Sequence, residues 1–430
     1  MERFASAYLK KWKQESNPKP MIIQGARQVG KTWLMQKFGN DYYAKTAYVN
    51  FESSPELRNL FSGDFNVSRI IKALEIACNQ KITKGDTLII LDEVQEAEGG
   101  ITALKYFYEN APGLHILAAG SLLGVLLHRS TSFPVGKVTF FHLHPLSFNE
   151  FLLATGNEGL FDLLQNKDWD LIKNFKSKYI TLLRQYYFTG GMPEAVLSFI
   201  ENEDFEKVRG IQKDILAAYE QDFSKHAPYN IVPRIRMLWN SIPAQLAKEN
   251  KKFIFSAVKK SSRAKDFELA ISWLENSGLV YKVYRINKAA FPLKSYLDLN
   301  AFKLFINDVG LLAAMSDLPA RTLLDSNRVF EEFKGALTEQ YVHQQLMASG
   351  TEHIFYWSAD KSKAEIDFII QNGEEIIPIE VKAEENLKAK SLRVFYQKYG
   401  HSKPLRYSMS DYRKDDWLVN IPLYAAGTKP

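Results

Sequence analysis

The sequence predicts an α/β chain of several domains. A parallel-sheet domain built around a phosphate-binding loop comes first, a helical and winged-helix-like middle follows, and an α/β domain closes the chain. Three observations carry this reading. The stretch GARQVGKT, residues 25–32, follows the apolar run Met21-Ile22-Ile23 and leads into a helix-like segment. Two later apolar runs end in carboxylates or a hydroxyl. Near the C-terminus, a hairpin-like pair of strands carries Asp367, Glu380 and Lys382. At 430 residues the chain exceeds one ordinary core. The motifs and the change of apolar spacing give expected domains at 1–147, 148–225, 226–325 and 326–430.

GARQVGKT matches G-x-x-x-x-G-K-[ST] in full. Glycines allow a tight turn in which successive N–H groups point at one bound phosphate. Gly25, Ala26, Arg27, Gln28, Val29, Gly30, Lys31 and Thr32 are therefore the expected nucleotide-binding residues. Lys31 brings a positive charge to the β- and γ-phosphates of ATP, and Thr32 offers its hydroxyl to Mg²⁺. The helix expected from Thr32 to Phe38 turns its N-terminal dipole toward the anion.

Thr46–Glu52 and Thr87–Glu93 read as the next strands. The second is a buried type, apolar throughout and ending in Asp92-Glu93 at the edge where parallel sheets present ligand-facing groups. Asp92 is the expected Mg²⁺ partner and Glu93 the group that activates the attacking water. The pairing of the two acids favours hydrolysis over binding alone. His115–Ser121 is a further strand, and Ser121 at its end is a candidate sensor of the γ-phosphate. Arg27, Arg129 and Arg184 are candidates for the arginine that stabilises charge in phosphoryl transfer, and that role stays open.

From Phe148 onward the apolar spacing is helical, broken at Tyr187–Pro193 by Gly190-Gly191 and a proline. Residues 254–286 read as a winged-helix unit. Ser256 opens one helix, Asp266 caps the next, Gly278 ends it, and Leu279–Ile286 forms a strand.

In the C-terminal region Asn372-Gly373 predicts a two-residue type I′ hairpin, with Gln371 opposite Glu374 and Asp367 opposite Pro378. Side chains alternate along strands, so Asp367, Glu380 and Lys382 share one face. Two carboxylates and a lysine there, with Glu339 from an upstream helix, form a candidate Mg²⁺ site acting on a scissile phosphate. Lys382 would orient or deprotonate water. The D-x(12)-E-x-K spacing is the signature of PD-(D/E)xK nucleases.

These residues resemble the bacterial and archaeal AAA-like ATPases that join a P-loop domain to a C-terminal PD-(D/E)xK-type domain. The likeness runs through GARQVGKT, LIILDEVQ, AAGSLLGVL, FHLHPLSFNEFL, YFTGGMPEAV, NDVGLLAAM and EIDFII…IPIEVKA, in that order. It implies ATP binding at residues 25–32, metal and water handling by Asp92 and Glu93, and a restriction-endonuclease-like C-terminal fold. No counterpart of the second-domain arginine of hexameric AAA+ machines is apparent, which leaves the oligomeric state open.

Composition narrows the partners. The net charge of +6 permits DNA or RNA as a partner without requiring either. Lysines and arginines cluster from Lys248 to Lys265 and from Lys388 to Arg406. A protein partner is the other expectation. No apolar run reaches the roughly 18 residues of a membrane span, and no ABC-type LSGGQ signature occurs. Cys78 is the single cysteine, which fits a reducing, cytoplasmic setting.

Overall fold

A computed structural model describes residues 1–120, 134–248, 252–324, 331–359, 364–385, 389–400 and 403–428, without the side chains of Glu331 and Glu332. The chain divides into two compact units. One holds Glu2–His144 with Asn276–Gly278, and the other holds Pro145–Glu275 with Leu279–Pro430. Among the described residues no helix is long and apolar enough to cross a membrane.

The first unit is built on five strands, β1 (Met21–Gln24), β2 (Lys45–Asn50), β3 (Thr87–Asp92), β4 (His115–Ala119) and β5 (Thr139–His142). Their order is β2-β3-β4-β1-β5, and every neighbouring pair is parallel. The apolar runs explain the central strands: every residue of β3 and β4 is buried. Burying a side chain such as Ile89 or Leu91 contributes about 1.5–3 kcal/mol. Because the chain leaves β1 for the far edge at β2, a crevice opens at the strands' C-terminal ends beside β1. Gln24, Asp92, Ala119 and His142 all end there.

The second unit begins with helices, among them Phe148–Ala154, Lys176–Thr189, Phe205–His226 and Val232–Leu246. Ser147 and Glu150 close a capping box at the first of these. An eight-stranded mixed sheet follows, of β6 (Val280–Ile286), β7 (Leu297–Ile306), β8 (Ile354–Ser358), β9 (Glu365–Asn372), β10 (Glu375–Val381), β11 (Leu405–Ser408), β12 (Arg413–Lys414) and β13 (Val419–Pro422). Its order is β12-β13-β11-β10-β9-β8-β6-β7.

Two expectations change here. The helices Phe255–Val258 and Ala264–Asn276 and the strand β6 form where the winged-helix reading put them, and Gly278 ends the second helix at φ +72. Yet β6 does not close a separate module. It pairs with β7 on one edge and runs parallel to β8 on the other, Tyr284 opposite Phe355. The segments 226–325 and 326–430 therefore share one sheet.

The hairpin register also differs. Asn372 pairs with Glu375, so the loop is Gly373-Glu374. A type I′ turn needs positive φ at both loop residues. Only Gly373 has it, at +60, which is the pattern of a II′ turn. The slip moves each partner by two residues, an even number, so the shared face of Asp367, Glu380 and Lys382 survives.

The segments YFTGGMPEAV and NDVGLLAAM meet in this unit. Asp308 is fully buried, caps the helix Val309–Met315 through the Leu311 N–H, and accepts from the Gly191 N–H at 2.6 Å. Gln344 donates to the same carboxylate at 3.0 Å. Burial raises the Asp308 pKa against these donors. A Cβ on Gly190 would stand 2.0 Å from Asp308 Oδ1, so the glycine is required by contact as well as by its φ of +71.

Candidate nucleotide site and acidic centre

The loop after β1 is held from below. Gly25, at φ +142, lies so close to the end of β5 that a Cβ would stand 2.3 Å from the Leu143 carbonyl oxygen. Arg3, itself buried, donates to the carbonyls of Val29 and His144 and ties the loop to the same strand end. Gly30 takes the left-handed conformation that starts the helix Lys31–Tyr42. Gly278, which shares this unit, packs against the loop: a Cβ there would stand 3.1 Å from the Ala26 nitrogen.

Lys31 is buried and lies across the loop, its ammonium donating to the carbonyls of Gly25 (3.0 Å) and Ala26 (2.9 Å). Burial pulls its pKa down to about 8, although the charges of Glu93 and Asp92 oppose the shift. Thr32 donates to Asp92 Oδ2 at 2.6 Å, and Tyr48 donates to the same oxygen at 3.1 Å. Asp92 is 1 % exposed; burial raises its pKa and the Thr32 and Tyr48 hydrogen bonds work against that. The hydroxyl and carboxylate expected to share Mg²⁺ are thus adjacent. One carboxylate, one hydroxyl and substrate phosphate oxygens form a donor set that suits Mg²⁺.

Glu93 stands just past β3 at φ +48, a left-handed backbone uncommon for a glutamate. Its Oε2 accepts from Gln95 Nε2 at 2.5 Å. Sequence reasoning missed Tyr48, Gln95 and Arg3. Only Tyr48 left a signal, a polar tip two residues before Asn50 on a strand that lies beside Asp92. His142, at the end of β5, is pushed down to about 4 by burial, with Lys31 adding to the shift. Ser121 and Arg129 lie outside the described residues. Arg184 lies on the helix Lys176–Thr189 of the other unit.

The second constellation has a different centre from the one expected. Glu380 is buried and pairs with Lys382 at 3.1 Å. Asp367 accepts from the Val381 N–H at 2.7 Å. Burial works to lower the Lys382 pKa, but Glu380 and Asp367 outweigh it and the net shift is upward, which favours the charged form. Among these acids sits Lys303 of β7, with no exposed surface at all. Its ammonium is 2.6 Å from Glu365 and 3.5 Å from Glu339. Burial would lower its pKa, yet Glu339, Glu365 and Asp367 together raise it. Among the described residues no three His, Cys, Asp or Glu side chains gather closely enough to hold a metal ion. The expected ligands Glu339, Asp367 and Glu380 are thus not grouped as a metal site among the described residues, and the ammonium of Lys303 lies beside Glu339. Sequence reasoning missed Lys303 and Glu365. A lone lysine in the run Ala301-Phe-Lys-Leu-Phe-Ile306 was the available signal.

Of the two basic clusters, Lys259, Lys260 and Arg263 are exposed between two helices with Lys265 exposed at the start of the second, and Lys390, Arg393 and Lys398 are exposed on the helix Lys390–Tyr399. Arg406 belongs to neither surface, being buried and bonded to Asn420.

Residues 17–152 match the family described as an AAA domain. With the loop, the five-stranded order and the Thr32–Asp92 pair already placed, this decides the first unit. It carries an AAA-type P-loop ATPase domain. Residues 180–322 and 334–425 match two domains of unknown function, DUF8612 and DUF4143. A search of the curated proteins finds no match to the chain. Among solved structures, the chain is similar to the Walker-type ATPase PABY2304 of Pyrococcus abyssi, with 14% identity over 73% of this chain and 95% of that one, TM-score 0.44. It is also similar to the Aeropyrum pernix Orc1 protein in complex with DNA (12% identity, 76% and 95% coverage, TM-score 0.28) and to Cdc6p from Pyrobaculum aerophilum (12%, 75% and 93%, TM-score 0.25). Overlays this loose lend no role to the chain beyond the AAA domain.

Proposed function

We propose that this chain is a Mg²⁺-dependent cytoplasmic ATPase whose nucleotide state controls binding by its second unit. The observation that carries the proposal is the Thr32 hydroxyl 2.6 Å from Asp92 Oδ2, with Glu93 as the next residue. The N–H groups of residues 25–32 cradle phosphate oxygens, and Lys31 turns from the loop carbonyls to the β- and γ-phosphates. Thr32 and Asp92 hold Mg²⁺, which when bound neutralises charge on those phosphates. Glu93, set by Gln95, orients the attacking water and receives its proton.

For the second unit, the resemblance to PD-(D/E)xK proteins supports a nucleic-acid partner, DNA or RNA, met through the exposed basic clusters. Lys303 favours gripping over cutting, so the nuclease-like centre is read as catalytically idle. Phosphate release tests the first half. Lys31→Ala should abolish it, and Glu93→Gln should retain ATP without turnover. Wild-type turnover in either variant would reject the assignment. A cleavage assay on plasmid, single-stranded DNA and RNA with Mg²⁺ or Mn²⁺, with and without ATP, tests the second. Cutting that disappears in Lys382→Ala would reject the idle reading.

A further inference from the structure

We propose that Lys303 is the resident cation of the C-terminal acidic centre, standing in for the divalent metal that such a carboxylate pattern otherwise takes. The inference extends the idle reading of that centre and is independent of the ATPase reading.

Four carboxylates converge here from three places. Glu339 comes from the helix Glu331–Ala348, Glu365 and Asp367 from β9, and Glu380 from β10. Buried acids persist only when a counter-charge accompanies them. Lys382 answers Glu380 at 3.1 Å. The remaining demand is met by Lys303, whose ammonium reaches both Glu365 and Glu339 and lies 5.0 Å from the centre of the Tyr356 ring. A divalent ion on the same acids would have to share the space with an ammonium that has no path to solvent. Asp367 is further committed through its bond to the Val381 N–H. Glu380 Oε2 is buried without a hydrogen-bond partner among the described residues, an acceptor that a metal could use if Lys303 were gone.

Lys303 also belongs to the DUF8612 segment, whereas the four acids belong to the DUF4143 segment. The sheet brings the ammonium of one segment to the carboxylates of the other, so the centre is complete only when both are present.

Mn²⁺ binding to the full chain tests this, followed by electron paramagnetic resonance in an Asp92→Asn background that silences the nucleotide site. The background protein should take up no Mn²⁺ at the centre. Lys303→Met should gain a site, tightening Mn²⁺ binding by about tenfold or more, and adding Glu380→Gln should remove the gain. Lys303→Met alone leaves four acids short of a cation and risks unfolding. Lys303→Met with Glu365→Gln removes one charge of each sign, and should fold and show the same gain. Mn²⁺ uptake by the background protein that Glu380→Gln abolishes would overturn the proposal, as would a folded double variant with no gain. Metal-independent strand cutting would sink the idle reading while leaving the place of Lys303 intact, so the two failures are distinguishable.

Discussion

Replacing Gly25 with alanine tests the phosphate loop through its closest contact. The added Cβ would stand 2.3 Å from the Leu143 carbonyl oxygen, where an unstrained carbon–oxygen contact needs about 3.3 Å. Loop and strand end must therefore part by roughly 1 Å, and both are backbone, so no side chain can swing away. The φ of +142 adds strain of about 1–3 kcal/mol for any residue with a Cβ. If the loop relaxes to escape both, its N–H groups no longer converge on one point. The strain alone corresponds to about fivefold to 150-fold weaker ATP binding. A misplacement of about 1 Å is enough for a further hundredfold loss in turnover. Equilibrium binding of a fluorescent ATP analogue and phosphate release would be measured on Gly25→Ala, with Gly63→Ala as the control, since a Cβ on Gly63 meets nothing within 4 Å. Gly25→Ala binding ATP within twofold of wild type would refute the packing described for the loop.

Three further outcomes are expected. Tyr48→Phe removes a donor to the buried Asp92 carboxylate, a bond of about 1.5–3 kcal/mol to a charged group, and should slow saturated ATP turnover by about threefold or more; unchanged turnover would show that Thr32 alone sets Asp92. Asp308→Ala strands the Gly191 and Leu311 N–H groups and should cost the second unit roughly 3–5 kcal/mol, read as a lower calorimetric Tm; an unmoved transition would count against the buried network. His343 is held neutral by burial, its pKa pushed from 6.5 down to about 3. The unfolded chain therefore takes up a proton below pH 6.5 that the folded chain refuses, and stability falls by about 1.4 kcal/mol per pH unit from there toward pH 3. His343→Phe, whose ring can keep the stack on Phe305, should lose that slope in urea titrations between pH 7.5 and 5, and parallel curves for the two proteins would dismiss the cause.

What the sequence disclosed follows from the range of the forces involved. Strands β1, β3 and β4 were legible because a doubly covered parallel strand is largely apolar, the edge strand β2 because Ala47 and Val49 alternate with polar neighbours, and Asp92 because an acid ending such a run has few other reasons to be there. The strand β5 is only four residues long, and its pairing with β1 is not written in its composition. The hairpin between β9 and β10 was legible in its existence and its facing, while the turn type depended on which residue took the positive φ. Lys303 stayed hidden for a different reason. Its partners lie more than thirty residues away, reached only because β6 and β7 join the sheet of β8 to β10. A pairing of that kind is a property of topology and leaves no local trace. Ser121 lies outside the described residues, so its expected role rests on the sequence alone.

The shared sheet bears on how this chain can be divided. Matched families end at residue 322 and resume at 334, inviting a cut between them. Such a cut would deprive β8 of its neighbour β6, baring a row of unpaired N–H and C=O groups that templates aggregation. It would also leave Glu339 and Glu365 behind without the ammonium of Lys303. A fragment beginning near 326 would then show metal binding and clumping that belong to the fragment and not to the protein. The two segments are separate words in sequence and a single folding unit in space, and they would have to be inherited, expressed and assayed together.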